Sequence, residues 1–137
     1  MATTLNPYLN FDGNTDAAMK FYAEALNGKL EIMRFSDGPV PTPDADKNRV
    51  MHALLKTDAI TIMASDTPAN MKRNAGNSVH LSLSFDSEAE QQRVWDKLAV
   101  GATIGMPLAQ QFFGRFGTLT DKFGTNWMFI LPAPMPQ

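Results

Sequence analysis

The chain has 137 residues, of which 44% are hydrophobic and 19% charged, enough apolar material for the core of one globular domain of ordinary size. Fourteen acidic residues against 12 basic ones give a formal net charge of −2, which argues against nucleic acid or an anionic membrane as a partner. Cysteine is absent, which excludes disulfides, thiolate nucleophiles and cysteine-based metal sites and favours a cytoplasmic location.

The first half of the chain predicts a strand, a helix and three further strands. Residues 5–11 alternate apolar and polar side chains with the period of two that a half-buried strand shows. A helix then begins near Asn14, a plausible N-cap, and ends at the stop signal Asn27 and Gly28. Three β-rich runs follow at 29–35, 49–56 and 59–64, the first two separated by a proline-rich loop at 36–48.

The second half predicts the same series of elements. After a polar linker at 65–77, residues 78–85 alternate clearly, with His80 on the polar side among serines. Ser87 and Glu90 have the spacing of a capping box at the start of a helix that ends near Gly101. A short strand at 103–108 and a last hairpin follow, and the hairpin turn carries Asp121. No stretch approaches the ~20 apolar residues of a membrane span, and the N-terminus lacks a signal-peptide pattern.

An internal repeat connects the two halves. The run Leu9-Asn10-Phe11-Asp12 matches Leu83-Ser84-Phe85-Asp86, 74 positions later, and the turn Thr57-Asp58 matches Thr120-Asp121. Both halves therefore predict a βαβββ module, the first at about 5–65 and the second at about 78–131 of a single 1–137 domain. In such a module one sheet face is buried under the helix, and the more polar face is left to enclose a cavity.

These features resemble a known superfamily. Two βαβββ modules, the opening strand Pro7-Tyr8-Leu9-Asn10-Phe11 and the run from Phe113 to Trp127 resemble the vicinal oxygen chelate superfamily of glyoxalases, bleomycin-resistance proteins and dioxygenases. Within it the chain resembles the PhnB-like branch, whose members often carry the label 3-demethylubiquinone 3-methyltransferase. The resemblance spans about 5–131. It implies an α+β fold with a curved mixed sheet around a cavity, helices on the outer face, a small-molecule ligand and a homodimer.

The resemblance also implies where a metal would bind. In metal-dependent members the first strand and the last strand of each module supply one ligand each, which makes four positions in all. The corresponding positions here are Asn6, approximately Ile62, His80 and Trp127. Only His80 is a good ligand among them, and Asn6 is a weak one. A stable site for a first-row metal needs three or four nitrogen or oxygen donors. No cofactor is therefore firmly predicted, and His80 and His52 stay weak candidates for a divalent ion.

Six residues are candidates for ligand binding: Asn6, Tyr8, His52, His80, Arg115 and Trp127. Tyr8 and Trp127 would form aromatic walls, and Arg115 could bind a carboxylate or phosphate as a fork, or pair with Asp121 or another acid. His80 is the candidate catalytic residue, as ligand, base or hydrogen-bond donor, but a structural role beside a serine fits equally. His52 also fits the pattern of a core histidine, and the repeat places Arg115 opposite it.

The favoured interpretation is a small-molecule-binding protein without an assigned reaction, whose aromatic, partly polar pocket is lined by Asn6, Tyr8, His80 and Trp127 and suits an aromatic ligand. One alternative is a metal-dependent lyase, isomerase or dioxygenase that uses His80. Others are a drug-sequestering protein of the resistance type and a scaffold. The methyltransferase label finds no support in the residues, because the chain has no glycine-rich turn between a strand and a helix for a nucleotide-like cofactor. Whether the protein is an enzyme is left open by the sequence.

Overall fold

A computed structural model describes residues 3–39 and 41–134, so Val40 of the proline-rich loop lies outside the described residues. The chain divides into two compact units, Met1–Asn74 and Ala75–Gln137, called unit 1 and unit 2 below. Each unit contains strand, helix, strand, strand and strand in that order. The predicted α+β class and the two βαβββ modules are confirmed, and the strands form two separate four-stranded mixed sheets.

Unit 1 is built from one helix on one sheet. Its elements are β1 (Tyr8–Phe11), α1 (Thr15–Leu26), β2 (Lys29–Arg34), β3 (Val50–Lys56) and β4 (Thr61–Asp66). The strand order is β1-β4-β3-β2, in which β1 is parallel to β4 and the other neighbours are antiparallel. Connecting β1 to β4 as parallel neighbours requires the intervening elements to cross over, which places α1 against the sheet.

Unit 2 repeats this arrangement. Its elements are β5 (Leu81–Ser84), α2 (Glu88–Leu98), β6 (Thr103–Gln111), β7 (Gly114–Thr120) and β8 (Asn126–Pro132). The strand order β5-β8-β7-β6 is that of unit 1, again with the first and last strands parallel. None of the helices in the described ranges is long and apolar enough to cross a membrane.

Strand boundaries differ from the prediction at both ends of the sheets. The first strands are shorter than predicted, and β1 begins at Tyr8, because Pro7 has no amide hydrogen to donate to β4 and offers only its carbonyl to Met63. β6 runs three residues further than predicted, to Gln111, and its pairing with β7 is irregular around Pro107. Proline inside this edge strand therefore shifts the register without ending the strand.

Each sheet has two distinct faces. Phe11 of β1 contacts Tyr22 of α1, with ring centroids 6.5 Å apart, and Phe129 of β8 contacts Trp95 of α2 at 4.9 Å. The side of each sheet that carries these residues is called its helix face, and the opposite side its open face. Because side chains alternate along a strand, the residue next to a helix-face residue lies on the open face.

The two helices begin in different ways. Asn14 is the N-cap residue of α1, as predicted, but its side chain makes no capping hydrogen bond. Instead the buried Asp66 of β4 accepts hydrogen bonds from the amides of Gly13 (2.9 Å) and Thr15 (3.1 Å) and the Thr15 hydroxyl (2.7 Å) on Oδ1, and from the Val50 amide (2.8 Å) on Oδ2. In α2 the Ser87 hydroxyl accepts from the Glu90 amide as predicted, while the Glu90 carboxylate pairs with Arg93.

Candidate functional site

The open face of unit 1 collects polar and apolar side chains from three neighbouring strands. Tyr8 pairs with Met63, Leu54 pairs with Met63 from the other side, and Asn10 pairs with Ser65. Alternation from these pairs assigns six residues to this face: Tyr8, Asn10, His52, Leu54, Met63 and Ser65. Tyr8 is 44% exposed, so its ring is accessible to a ligand.

Tyr8 and His52 form the central pair of this face. The Tyr8 hydroxyl lies 3.4 Å from Nδ1 of His52 and the ring centroids are 6.0 Å apart, so the two side chains meet above the intervening strand β4. When the phenol donates to Nδ1, the imidazole carries its hydrogen on Nε2 and can donate it to a ligand. The pair thus offers an aromatic surface next to a hydrogen-bond donor.

A second polar pair lies beside the first. The Ser65 hydroxyl donates to the side-chain oxygen of Asn10 at 3.4 Å. Leu54 and Met63 supply apolar surface on the same face. The combination of an aromatic ring, apolar side chains and a few polar groups is typical of a small-molecule surface.

The open face of unit 2 has a different composition. Its residues, read from the pairing of β5, β7 and β8, are Ser82, Ser84, Phe116, Thr118, Met128 and Ile130. His80 directly precedes β5, two positions before Ser82, and its side chain is exposed. The side-chain amide of Asn126 donates a hydrogen bond from Nδ2 to the Val79 carbonyl at 3.1 Å and holds the backbone beside His80. Among the residues of unit 2 up to 134, which the structure describes, no other aromatic or imidazole ring contacts His80.

Trp127 is a core residue of unit 2 and is not part of its open face. Trp127 lies on the helix face of unit 2, is completely buried, and donates its indole N–H to Asp121 Oδ2 at 2.8 Å. This corrects the predicted aromatic wall: the register that pairs Ser82 with Met128 puts Met128, not Trp127, on the open face. A shift of one residue along a strand exchanges the two faces.

Arg115 also lies on a helix face. Its guanidinium donates to the side-chain oxygen of Gln91 at 3.1 Å and to Gln92, and its Nε lies 3.5 Å from the Glu88 carboxylate. All three partners belong to α2. Of the two predicted roles of Arg115, the structure therefore shows the ion pair with an acid, here Glu88. Ala53 pairs with Ala64 and Gly117 pairs with Phe129, so the residue that corresponds to His52 in unit 2 is Phe116.

The positions linked to metal ligands do not fit the metal that the resemblance implies. The register assigns the last-strand positions of the open faces to Met63 and Met128, in place of Ile62 and Trp127. Thioethers are soft ligands, whereas an ion that polarises substrate oxygens is held by imidazole and carboxylate groups. Within residues 3–39 and 41–134, no group of three or more His, Asp or Glu side chains could hold a metal ion.

Asn10, Leu54, Met63 and Ser65 lie on the open face of unit 1 but are not among the predicted site residues. Ser65 was assigned to the linker, although the structure continues β4 to Asp66. The sequence does carry a signal for this longer strand, because Thr61, Met63 and Ser65 alternate with the apolar Ile62 and Ala64 in the period of two of a strand. Asn6, a predicted site residue, is exposed and lies before the start of β1.

Comparison with known proteins gives consistent matches over nearly the whole chain. The family described as 3-demethylubiquinone-9 3-methyltransferase matches residues 3–130. Protein YjdN of Escherichia coli (strain K12) is 30% identical over an alignment 146 positions long, which covers 96% of this chain and 97% of that protein. The crystal structure of protein PA1353 from Pseudomonas aeruginosa is 36% identical with a TM-score of 0.87, covering 96% of this chain and 98% of that one.

Two further structures relate the chain to named groups. A putative 3-demethylubiquinone-9 3-methyltransferase, PhnB protein, from Bacillus cereus is 28% identical with a TM-score of 0.78, covering 94% and 99% of the two chains. A glyoxylase/bleomycin resistance protein/dioxygenase domain from Frankia sp. EAN1pec is 17% identical with a TM-score of 0.67, covering 97% and 99%. The second likeness is one of fold alone. The fold is that of the superfamily that the sequence resembles.

Proposed function

We propose, from the premise that this chain belongs to the PhnB-like family described as 3-demethylubiquinone-9 3-methyltransferase, that it binds a small aromatic molecule on the open face of unit 1. The observation that carries the proposal is the accessible pair of Tyr8 and His52, whose hydroxyl and Nδ1 atoms are 3.4 Å apart. The described open-face residues of unit 2 include no such pair, and the residue corresponding to His52 there is Phe116.

The chemistry of this face defines the ligand class. A planar ring can pack on the half-exposed Tyr8 and on Leu54 and Met63, which are apolar. An acceptor on the ring, such as a carbonyl or an ether oxygen, would accept a hydrogen bond from the Nε2–H of His52. Asn10 and Ser65 provide polar groups for a second substituent. The proposed ligand is therefore a planar aromatic compound with one or two oxygen acceptors.

The test is a thermal-shift screen of small aromatic compounds, followed by calorimetry on the hits. In His52→Ala the affinity for a hit should fall about fivefold, because one hydrogen bond is worth about 1 kcal/mol. In Tyr8→Phe it should fall by less, because the imidazole stays in place and loses only the phenol that orients it. Ser82→Ala, on the open face of unit 2, is the matched control and should bind as the parent does. Equal affinities in the parent, Tyr8→Phe and His52→Ala would contradict the proposal.

A further inference from the structure

Unit 1 contains a cavity that shares no lining residue with its open face. The cavity has a volume of about 300 Å³ and lies where the loop after β2 meets the start of β3 and the segment after β4. Its apolar walls are Phe35, Pro39, Pro41, Pro43, Met51 and Pro68. This is called the proline-lined cavity below. A volume near 300 Å³ is at the lower end of the range for small-molecule sites, which suits a ligand of one ring.

The walls are held in place by hydrogen bonds on both sides. The amides of Phe35 and Ser36 donate to the carbonyls of Arg49 (3.0 Å) and Lys47 (3.1 Å), which extends the pairing of β2 with β3 into the loop. Asp46 Oδ1 accepts from the Ala69 amide at 2.9 Å and ties the loop to the segment that carries Pro68. Proline has no amide hydrogen, so these walls add rigid apolar surface without a donor.

One charged group lines this apolar cavity. Asp46 uses the same oxygen for two contacts: Oδ1 accepts the hydrogen bond from the Ala69 amide and lies 3.9 Å from Arg49 Nε. Oδ2 can therefore accept a hydrogen bond from a ligand. The Thr42 hydroxyl, also in the lining, donates to the Phe35 carbonyl at 3.4 Å. The cavity thus presents an acceptor to a ligand that is otherwise surrounded by apolar side chains.

We infer that the proline-lined cavity is a second binding site, for a small apolar ring that carries one hydrogen-bond donor, as a phenol does. The ring fills the space between Phe35, Met51 and the prolines, and the hydroxyl donates to Asp46 Oδ2. A hydrogen bond to a charged acceptor is stronger than one between neutral groups, so the donor contributes to selectivity as well as affinity. This site is independent of the ligand proposed for the open face.

The first experiment uses the unmodified chain and para-fluorophenol, followed by amide chemical-shift mapping. Saturable shifts are expected at Gly38, Met51 and Ala69. Para-fluorotoluene has a similar shape without the donor, and its dissociation constant should be about tenfold higher. Shifts confined to Tyr8, Asn10 and the rest of the open face would overturn the inference, as would equal affinities for the two compounds.

Two variants and a matched control test the same site. A Cβ at Gly38 would lie 3.6 Å from the Met51 side chain, so Gly38→Val fills the cavity and should weaken para-fluorophenol binding at least tenfold. Asp46→Asn keeps an acceptor for the Ala69 amide but replaces Oδ2 with a donor, and it should abolish the preference for the phenol. Ala45→Val adds similar bulk at an exposed position of the same loop and should bind as the parent does.

The outcomes separate this inference from the proposed function. Gly38→Val should leave the affinity for an open-face ligand unchanged, and His52→Ala should leave the affinity for para-fluorophenol unchanged. If Gly38→Val and Asp46→Asn both bind para-fluorophenol as tightly as the parent does, the inference is wrong. The open-face proposal is unaffected by that result.

Discussion

Unit 1 and unit 2 have the same strand order but hold their helices by different means. In unit 1 the start of α1 is bound by Asp66, which comes from the last strand of the unit. In unit 2 the start of α2 is capped by Ser87, its own preceding residue, and the position that corresponds to Asp66 is Leu131. A single topology therefore accommodates both a long-range polar clamp and a local cap at the start of its helix.

The helix faces of the two sheets also differ, in the residue at one strand position. In unit 1 strand β3 carries the buried Ala53, and the corresponding residue in strand β7 of unit 2 is Gly117. A Cβ at Gly117 would lie 2.9 Å from Cα of Leu108 and 3.0 Å from the Trp95 ring. A side chain at this position would therefore collide with the backbone of the neighbouring strand β6 as well as with the Trp95 ring of α2. Unit 2 thus combines this tight packing with polar contacts between Arg115 and α2, whereas unit 1 binds the start of its helix through Asp66.

The largest expected effect is that of Asp66→Ala. The change leaves four donors without their acceptor, those of Gly13, Val50 and both groups of Thr15, at an expected cost of about 4 kcal/mol of unfolding free energy. Ser87→Ala is the matched change in unit 2 and should cost about 1 kcal/mol. Urea unfolding of both variants measures the difference, and equal losses would remove the contrast between the clamp and the cap.

Gly117→Ala tests the packing of unit 2. The added methyl group collides with Leu108 and Trp95, so the unfolding free energy should fall by about 2 kcal/mol. Combining Gly117→Ala with Trp95→Phe relieves part of the collision, so the double variant should lose less than the sum of the single variants. Additive losses in urea unfolding would show that Trp95 is not the reason for the glycine.

Trp127→Phe separates a core role from a ligand role. Loss of the indole N–H leaves Asp121 Oδ2 without this donor, at an expected cost of about 1.5 kcal/mol. Calorimetry should find the affinity for an aromatic hit unchanged, because Trp127 is fully buried on the helix face. A variant of parental stability that no longer binds the hit would restore Trp127 to the pocket.

The smallest expected effect is that of Asp16, at the start of α1. Hydrogen bonds from Lys20 and then Arg34 hold the pKa of Asp16 below its ordinary value of 3.8. A carboxyl whose pKa is lower in the folded state stabilises the fold above the ordinary value and loses this contribution as the pH falls through the lowered one. Asp16→Asn should therefore cost about 0.5 kcal/mol at neutral pH, since the pair is partly exposed.

The check on Asp16 is urea unfolding at a series of pH values. The difference between parent and Asp16→Asn should be constant above pH 5 or so and shrink below about 4. A difference that grows as the pH falls would contradict the sign of the pKa shift.

Local signals in the sequence were sufficient for the elements and their order. Alternation located the strands, and the glycine and asparagine after α1 located its end. The faces were harder, because the side of the sheet on which Trp127 lies depends on how β8 pairs with β5, and a one-residue error exchanges it with Met128. The Asp66 clamp joins residues about 50 positions apart, which no periodic pattern reveals. The proline-lined cavity depends likewise on a loop that only the fold brings onto Pro68.

The two histidines of the chain report on the two units separately, His52 on the open face of unit 1 and His80 beside the open face of unit 2. The most direct measurement is NMR of their imidazole ring signals during a titration with the strongest hit of the aromatic screen. The account predicts that the His52 signals shift to saturation while those of His80 stay in place. Saturable shifts of His80 with His52 unmoved would contradict it.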